Sequence, residues 1–308
     1  MAEPFDPDQF TTPMMPTKTK RRDPYPAILP TNPQNSQKGK IIVITGASTG
    51  IGKAAAKVWI EAGATGVVIA ARRIEVLEQV AKELRAINPN TKVLPIKANI
   101  VSVEDAKNLF ATVQKTFGRP ADVLLNNAGV VADDELIGET PIEQWWKSFE
   151  INLKGCYIMN HEFIQSQPNP KEPVGTIITV SSGRATVTSS GGSSYNISKL
   201  AEQRLNEHLQ LEYPTLRVFT TMPGIVKSQM NSEDPFWSLY ALDHAELTGM
   251  LALYLVQERA DYLKGSMVGV NWDVEELEQH KERIEKEKLL QTSWLPILPW
   301  NGGKGLDG

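Results

Sequence analysis

From Lys40 onward this chain of 308 residues alternates short β-branched runs with amphipathic stretches, and that alternation limits the possible folds more than any other feature. Ile41-Ile42-Val43-Ile44 is a continuous apolar run ending in Thr45-Gly46, as a strand buried on both faces requires. Further runs follow at Val67-Val68-Ile69, Val93 to Ile96, Val123-Leu124-Leu125, Thr176 to Val180, Leu216 to Thr220 and Met267 to Val270. Between the second and third runs, Ile74 to Ile87 sets Val76, Leu77, Val80, Ala81, Leu84 and Ile87 on one helical stripe with charges opposite. Asn88-Pro89-Asn90 stops that helix. Parallel neighbours need crossover connections, so seven such strands separated by helices predict a doubly wound α/β fold, a seven-stranded parallel sheet in a single domain. The boundaries read as an arm over 1–38, the α/β domain over 39–273, and a charged helix with a tail over 274–308.

Composition removes several classes. With 41% hydrophobic and 22% charged residues the chain is neither disordered nor fibrous. Thirty-two basic against 36 acidic residues give a net charge of −4, which offers no field for gathering phosphate backbones, so no nucleic-acid partner is expected. The single cysteine, Cys156, excludes an intrachain disulfide and a metal site built on clustered thiolates, and no metal is expected. Val67 to Ala71 and Leu251 to Val256 are the longest strongly apolar runs, too short to cross a bilayer. No signal peptide is expected, and Glu3, Asp6, Asp8 and Asp23 argue against a mitochondrial presequence, so a cytoplasmic location without membrane contact is the expectation.

The two ends read differently. Eight of the 20 prolines precede residue 34, and proline removes amide donors and extends its neighbours, so the arm is expected to be extended. Lys18-Thr19-Lys20-Arg21-Arg22 reads as a basic patch on a solvated arm in preference to a nuclear address. Val274 to Leu290 predicts one helix with a solvated charged face, on which Leu277 and Ile284, seven apart, form a narrow docking stripe. Trp294 to Trp300 then reads as a sticky extended end.

The first strand opens onto Thr45-Gly46-Ala47-Ser48-Thr49-Gly50-Ile51-Gly52, followed by the helix formers Lys53-Ala54-Ala55-Ala56-Lys57. Glycines let a backbone approach a pyrophosphate without interference from Cβ, and the helix start supplies free amides and a positive dipole end. Placed between the first strand and the first helix, this turn is a dinucleotide signal. The second strand ends Ala70-Ala71-Arg72-Arg73 with no acid until Glu75. A ribose with free hydroxyls is normally held there by a carboxylate, whereas a 2′-phosphate wants a cation. Arg72, with Arg73 beside it, can fork two hydrogen bonds onto a phosphate, and this favours NADP(H) over NAD(H).

Asn126-Asn127-Ala128-Gly129 follows the fourth strand, Ser181-Ser182 the fifth, and Tyr195-Asn196-Ile197-Ser198-Lys199 opens a helix with Tyr and Lys on one face. Together with the glycine turn these segments resemble the short-chain dehydrogenase/reductases, whose pattern is TGxxxGIG, NNAG, a Ser and YxxxK. The resemblance runs from about Lys40 to Asp273, in order and spacing. Tyr25-Pro26-Ala27-Ile28, Gly269-Val270-Asn271-Trp272-Asp273 and the charged tail also look like fungal members associated with secondary metabolism.

The resemblance implies a Rossmann fold and a hydride-transferring oxidoreductase acting on a carbonyl or secondary alcohol. It implies that Tyr195 is the general acid of reduction and the base of the reverse reaction, that Lys199 favours tyrosinate and holds the nicotinamide ribose, and that Ser182 hydrogen-bonds the substrate oxygen. Asn152, in Glu150-Ile151-Asn152-Leu153-Lys154-Gly155, matches the family asparagine of a water-linked proton relay; its bland alternative is a helix-kink residue. Ser181 is expected to point elsewhere, since successive side chains at a strand end alternate. The cofactor set it implies comprises Gly46, Ser48, Thr49, Gly50, Ile51, Gly52, Arg72, Arg73, Asn99, Asn126, Ala128, Gly129, Tyr195, Lys199, Val226 and Ser228. Asn99 departs from the family aspartate that meets the adenine amino group, and Ser228 from its threonine.

After Ser228, Met230, Phe236, Trp237, Leu239, Tyr240 and Leu242 predict an aromatic lid over a fairly large carbonyl compound, or else a packed helix interface. Trp145 and Trp146 read as packing residues. The family implies a homodimer or homotetramer through the helices bearing Asn152 and Tyr195. Two rivals stay open: a non-redox cyclase or isomerase on the same scaffold, and a cofactor-binding regulatory protein.

Overall fold

The computed structural model describes residues 5–131, 135–227 and 235–293. Seven strands form one parallel sheet in the order β3-β2-β1-β4-β5-β6-β7. They are β1 (Ile41–Thr45), β2 (Gly66–Ala71), β3 (Lys92–Lys97), β4 (Val123–Asn126), β5 (Gly175–Val180), β6 (Leu216–Met222) and β7 (Met267–Gly269). The apolar runs of the sequence thus become the strands, because a parallel sheet covered on both faces buries every side chain of its central members. β1 lies between β2 and β4, so the strand order reverses there and the carboxyl ends of β1 and β4 flank a crevice.

Along the strands the side chains divide with period two between two cores. Ile42, Ile44, Val67, Ile69, Leu125 and Ile178 face one, which α1 (Gly50–Glu61), α2 (Ile74–Ile87) and residues Leu247 to Leu255 cover. Ile41, Val43, Val68, Leu124 and Ile177 face the other, beneath α3 (Val103–Phe117) and the helices that follow it. α2 has the bounds its stripe predicts, with Leu77, Val80, Ala81 and Leu84 buried.

On the second face, α4 (Ile142–Ser148) runs into a π-helical turn at Phe149–Lys154 and on into α5 (Gly155–Gln165), and α6 (Ser193–Glu212) packs beside them. Trp145 Nε1 donates to Ser193 Oγ at 2.9 Å and Ser148 Oγ lies 3.0 Å from Ser194 Oγ, so α4 is fastened to the start of α6. α7 (Pro235–Tyr240), α8 (Glu246–Leu255), α9 (Val274–Gln279) and α10 (Lys281–Glu287) complete the helices. The tail is therefore two short helices, not one; Leu277 and Ile284 are both buried. Asp273 caps α9 by accepting from the Glu275 and Glu276 amides.

The arm does not float in solvent. Its described residues form two 3-10 turns, Thr12–Met14 and Pro33–Asn35, yet Tyr25, Ala27 and Ile28 are buried in the first core. Its backbone meets the segment after β7, where Lys20 forms an antiparallel bridge with Trp272 and the Arg21 amide donates to the Asn271 carbonyl at 2.8 Å, and side chains anchor it further. Asn35 Nδ2 donates to the Ala27 and Leu29 carbonyls, and Tyr25 hydroxyl bridges Trp272 and Val274. The basic run is likewise not a solvated patch. Lys20 pairs with Asp8, Arg21 with Asp273, and Arg22 with both Asp8 and Asp243. Among the described residues, no helix is long and apolar enough to cross a membrane.

Candidate functional site

The crevice at the switch point is lined by the β1–α1 turn. Gly46 and Gly50 take positive φ, 65° and 53°, which only glycine adopts freely. A Cβ on Gly46 would lie 2.8 Å from Ala128 Cα, and one on Gly52 would lie 2.5 Å from Asn127 Nδ2 and 2.6 Å from the Gly46 carbonyl. The turn is thus locked to the segment after β4. Asn127 Nδ2 donates to the Thr45 and Gly46 carbonyls at 2.9 and 3.2 Å, while the Asn127 and Ala128 amides donate to Thr45 Oγ1 at 3.0 Å. Thr49 precedes α1 without a side-chain cap, leaving the amides of a twelve-residue helix open to an anion. Ser48, Thr49, Gly50 and Ile51 are exposed or half-buried around this opening. A cradle that any Cβ would fill, ending on uncapped amides, fits a dinucleotide pyrophosphate.

At the end of β2, Arg72 and Arg73 are both exposed, and among the described residues neither makes an ion pair or a side-chain hydrogen bond. Asn99, after β3, donates its backbone amide to Asp105 at 2.8 Å. The Asn126 side chain is buried and donates to Asn160 Oδ1 at 2.6 Å. Val226 pairs with Asp243 as an isolated bridge beyond β6. Ser228, like Met230, lies outside the described residues.

Beyond the crevice the remaining motif residues converge. The π-helical turn at Phe149–Lys154 carries Asn152, so this residue sits at a helix irregularity and also reaches outward. Its Oδ1 accepts from the Val130 amide at 2.8 Å, and its Nδ2 donates to the Val130 carbonyl and to Ser198 Oγ, each at 3.0 Å. A Cβ on Gly129 would lie 3.2 Å from Asn152 Oδ1 and 3.4 Å from Lys199 Nζ, so these three positions meet at one point. Lys199 Nζ lies 5.8 Å from the centre of the Tyr195 ring, and Arg184 crosses that ring at 5.2 Å. Tyr195 and Lys199 occupy successive turns of α6 because they are four apart. Ser182 begins the 3-10 turn Gly183–Thr186 after β5, accepting from the Arg184 amide at 3.2 Å. Ser181 does point away, donating to the Lys199 carbonyl at 3.0 Å.

Several residues here escape sequence reading. Glu202 accepts from Lys199 Nζ through both oxygens, at 3.1 and 3.0 Å, and both side chains are buried. Burial pushes the Glu202 carboxyl up to about 7. Burial also opposes a charged lysine, but the Glu202 carboxylate and the Tyr195 oxygen prevail and hold Lys199 above its ordinary value. Cys156, buried behind the pair, is pushed up to about 12 by desolvation. Asp243 orders the loop after β6: it accepts from the Ile225 amide at 2.6 Å, from Asn271 Nδ2 at 2.7 Å and from Arg22. Lys–Glu three apart on a helix reads as a surface pair, and a lone aspartate carries no signal at all; only tertiary packing reveals them.

The arm reaches this end of the molecule. Phe10 packs its ring 4.9–6.0 Å from those of Phe236, Trp237 and Tyr240 on α7, and Gln9 donates to the Tyr240 hydroxyl. Met14 Sδ would be 2.6 Å from a Cβ on Gly183, the residue after Ser182. The aromatic segment thus packs against the arm.

A parallel sheet with a glycine cradle at its switch point, and a Tyr–Lys pair on the helix beside it, defines a dinucleotide-binding oxidoreductase. The comparisons agree. The short chain dehydrogenase family model matches residues 40–237, and the chain belongs to that family. It is 33% identical over 268 residues to Short chain dehydrogenase mpl6 of Monascus purpureus, covering 85% of this chain and 90% of that protein. It is 32% identical over 283 residues to Short chain dehydrogenase andI of Emericella variicolor, covering 89% of this chain and 95% of that one. Among solved structures, a short-chain type dehydrogenase/reductase from Mycobacterium marinum superposes with a TM-score of 0.70 at 26% identity, over 77% of this chain and 96% of that one. A short chain dehydrogenase from Shigella flexneri complexed with NADP shares the fold, with a TM-score of 0.70 at 24% identity over 77% and 99% of the two chains.

Proposed function

We propose that this chain is an NADP(H)-dependent oxidoreductase that interconverts a carbonyl and a secondary alcohol on a fairly large apolar substrate of secondary metabolism. The observation that carries the reading is the convergence of Gly129, Asn152, Lys199 and Tyr195 beside an open phosphate cradle. Bound there, the nicotinamide nucleotide supplies or takes up the hydride. Tyr195 donates its hydroxyl proton to the carbonyl oxygen during reduction, and Ser182 Oγ donates a second hydrogen bond to that oxygen. Lys199 offers its ammonium to the nicotinamide ribose and to the Tyr195 oxygen. Asn152 fixes the Val130 backbone at the crevice rim and links it to α6 through Ser198. The Pro223-to-Val226 segment, held by Asp243, meets the carboxamide through the backbone of Val226. Asn99 accepts from the adenine amino group without a charge. α7 and the arm cover the substrate.

Preference for NADP(H) rests on Arg72, exposed, unpaired and without an acid at the end of β2. Tryptophan fluorescence titration with NADPH and NADH tests it. NADPH should bind at least tenfold more tightly, about 1.4 kcal/mol, and Arg72→Ala should remove most of that difference. Equal affinities in the unsubstituted chain would discard the clamp and leave the oxidoreductase reading in place.

A further inference from the structure

The loop after β6, which the proposed chemistry sets against the carboxamide, is held from outside the sheet. Asp243 packs against that loop with its side chain fully buried. Its Oδ2 accepts from the Ile225 amide at 2.6 Å, its own amide donates to the Ile225 carbonyl at 3.1 Å, and it bridges Val226. Gly224 turns beside it at φ 73°, where a Cβ would collide with Asp243 Oδ2. One carboxylate thus sets the backbone of three successive residues. A buried carboxylate needs a cation, and among the described residues Arg22 of the arm is the one that pairs with it, through Nη1 at 2.7 Å. The rest of that guanidinium is held within the arm. Nε and Nη2 donate to Asp8 at 3.2 and 2.6 Å, and Nη2 also donates to Thr11 Oγ1 at 3.1 Å. Asn271 Nδ2 ties the two sides together, donating to Asp243 at 2.7 Å and to the Arg21 carbonyl at 2.9 Å. Both partners of the ion pair lie outside residues 40–237, the span that the family model matches.

We infer that Arg22 is a positioning residue: through Asp243 it fixes Gly224, Ile225 and Val226 against the nicotinamide end of the cofactor, so the arm is a working part of the site. A planar guanidinium can bridge two carboxylates at once, here Asp8 and Asp243, which the point charge of a lysine cannot do with the same geometry. Without that bridge Asp243 is a buried charge with no counter-charge, so it turns toward water and the Ile225 amide loses its acceptor. The effect is local. β1, β4 and β5 separate this loop from the end of β2, where Arg72 stands to meet the 2′-phosphate.

The inference rests on the proposed place of Val226 beside the carboxamide, and its test separates the two ends of the nucleotide. Calorimetric titrations use NADPH and 2′-phospho-ADP-ribose, which lacks only the nicotinamide; if NADH binds more tightly, NADH and ADP-ribose replace them. Arg22→Met keeps the apolar stem and removes the charge. It should bind NADPH about tenfold more weakly and 2′-phospho-ADP-ribose as tightly as the unsubstituted chain does. In the same variant without nucleotide, the Ile225 amide should exchange its hydrogen faster. Arg22→Lys keeps the charge without the fork and should lose less. If the methionine variant does not fold, a smaller loss confined to NADPH in the lysine variant supports the inference. Unchanged NADPH affinity or unchanged Ile225 exchange in the methionine variant, or in the lysine variant where that alone folds, overturns it. So does an equal loss for both ligands, the mark of a chain that has only lost stability. Failure of the cofactor reading would appear separately, as binding of neither NADPH nor NADH by the unsubstituted chain, and would remove the inference with it.

Discussion

Gly52 shows how much a single missing methyl group decides in the cradle. In an open helix, Gly→Ala gains about 1 kcal/mol from propensity. At Gly52 the new Cβ would meet the Gly46 carbonyl at 2.6 Å and Ala47 Cα at 3.0 Å, and backbone atoms cannot rotate aside as a side chain can. Overpacking of this kind costs about 1–3 kcal/mol. Gly52→Ala should therefore lower the melting temperature and abolish NADPH binding, whereas Gly138→Ala, with open space around it, should change neither. Wild-type binding by the Gly52 variant would remove the cradle from the phosphate site. The glycines themselves were legible, because their spacing between a strand and a helix has a chemical reason. Asn127, which fills the space they leave, was not, since an asparagine beside a second asparagine gives no hint of which one turns toward Thr45. Glu202 stayed hidden for a related reason: a glutamate on a helix is ordinarily solvated, and burial is a property of the partner it finds.

Strands and arm differ in how far sequence reaches. All seven strands follow from short apolar runs, because a sheet covered on both faces leaves little freedom for anything else. The arm follows a different logic. Its prolines point to little regular structure, and the described residues form two short 3-10 turns, but the burial of Tyr25 and Ile28 depends on Trp272 and Val274, about 250 residues away, a contact that no local pattern encodes. The same holds for α7, whose aromatic face could have been a lid or an interface. Phe10 supplies the interface, and the lid remains compatible with it, since the arm also reaches Gly183 beside Ser182. Phe10→Ala removes three ring contacts, each worth about 0.5–1.5 kcal/mol beyond its buried area. The expected result is faster amide exchange confined to α7 and the arm, with KM for bulky carbonyl compounds raised and NADPH affinity unchanged. Trp237→Ala should raise KM in the same way. A loss of stability with KM intact in both variants would make this cluster a packing device only.

At the scale of the whole molecule, the outer face of α4, the π-helical turn, α5 and α6 is the part the monomer leaves unfinished. Ile142, Trp146 and Tyr157 are 71%, 55% and 54% exposed, and Trp146, Phe149, Leu153, Tyr157 and Leu205 border a shallow cavity of about 650 Å³ that contains none of the motif residues. Large apolar side chains gathered on one face mark a site of association more often than a solvated surface. The helices beneath them carry Asn152, Tyr195 and Lys199 on the opposite side. A two-fold pairing through this face, in a homodimer or within a homotetramer, would place the same patch against itself and bury roughly 800 Å² on each partner. It would also cover the π-helical turn that carries Asn152. Trp146→Glu sets a carboxylate at the centre of that interface. Sedimentation velocity should then show a dimer for the unsubstituted chain and a monomer for the variant at micromolar concentration. NADPH affinity should fall together with dimerisation, because Asn152 and Lys199 lose the same support. A monomeric unsubstituted chain would end the dimer proposal, and a monomeric variant with undiminished affinity would separate assembly from the site.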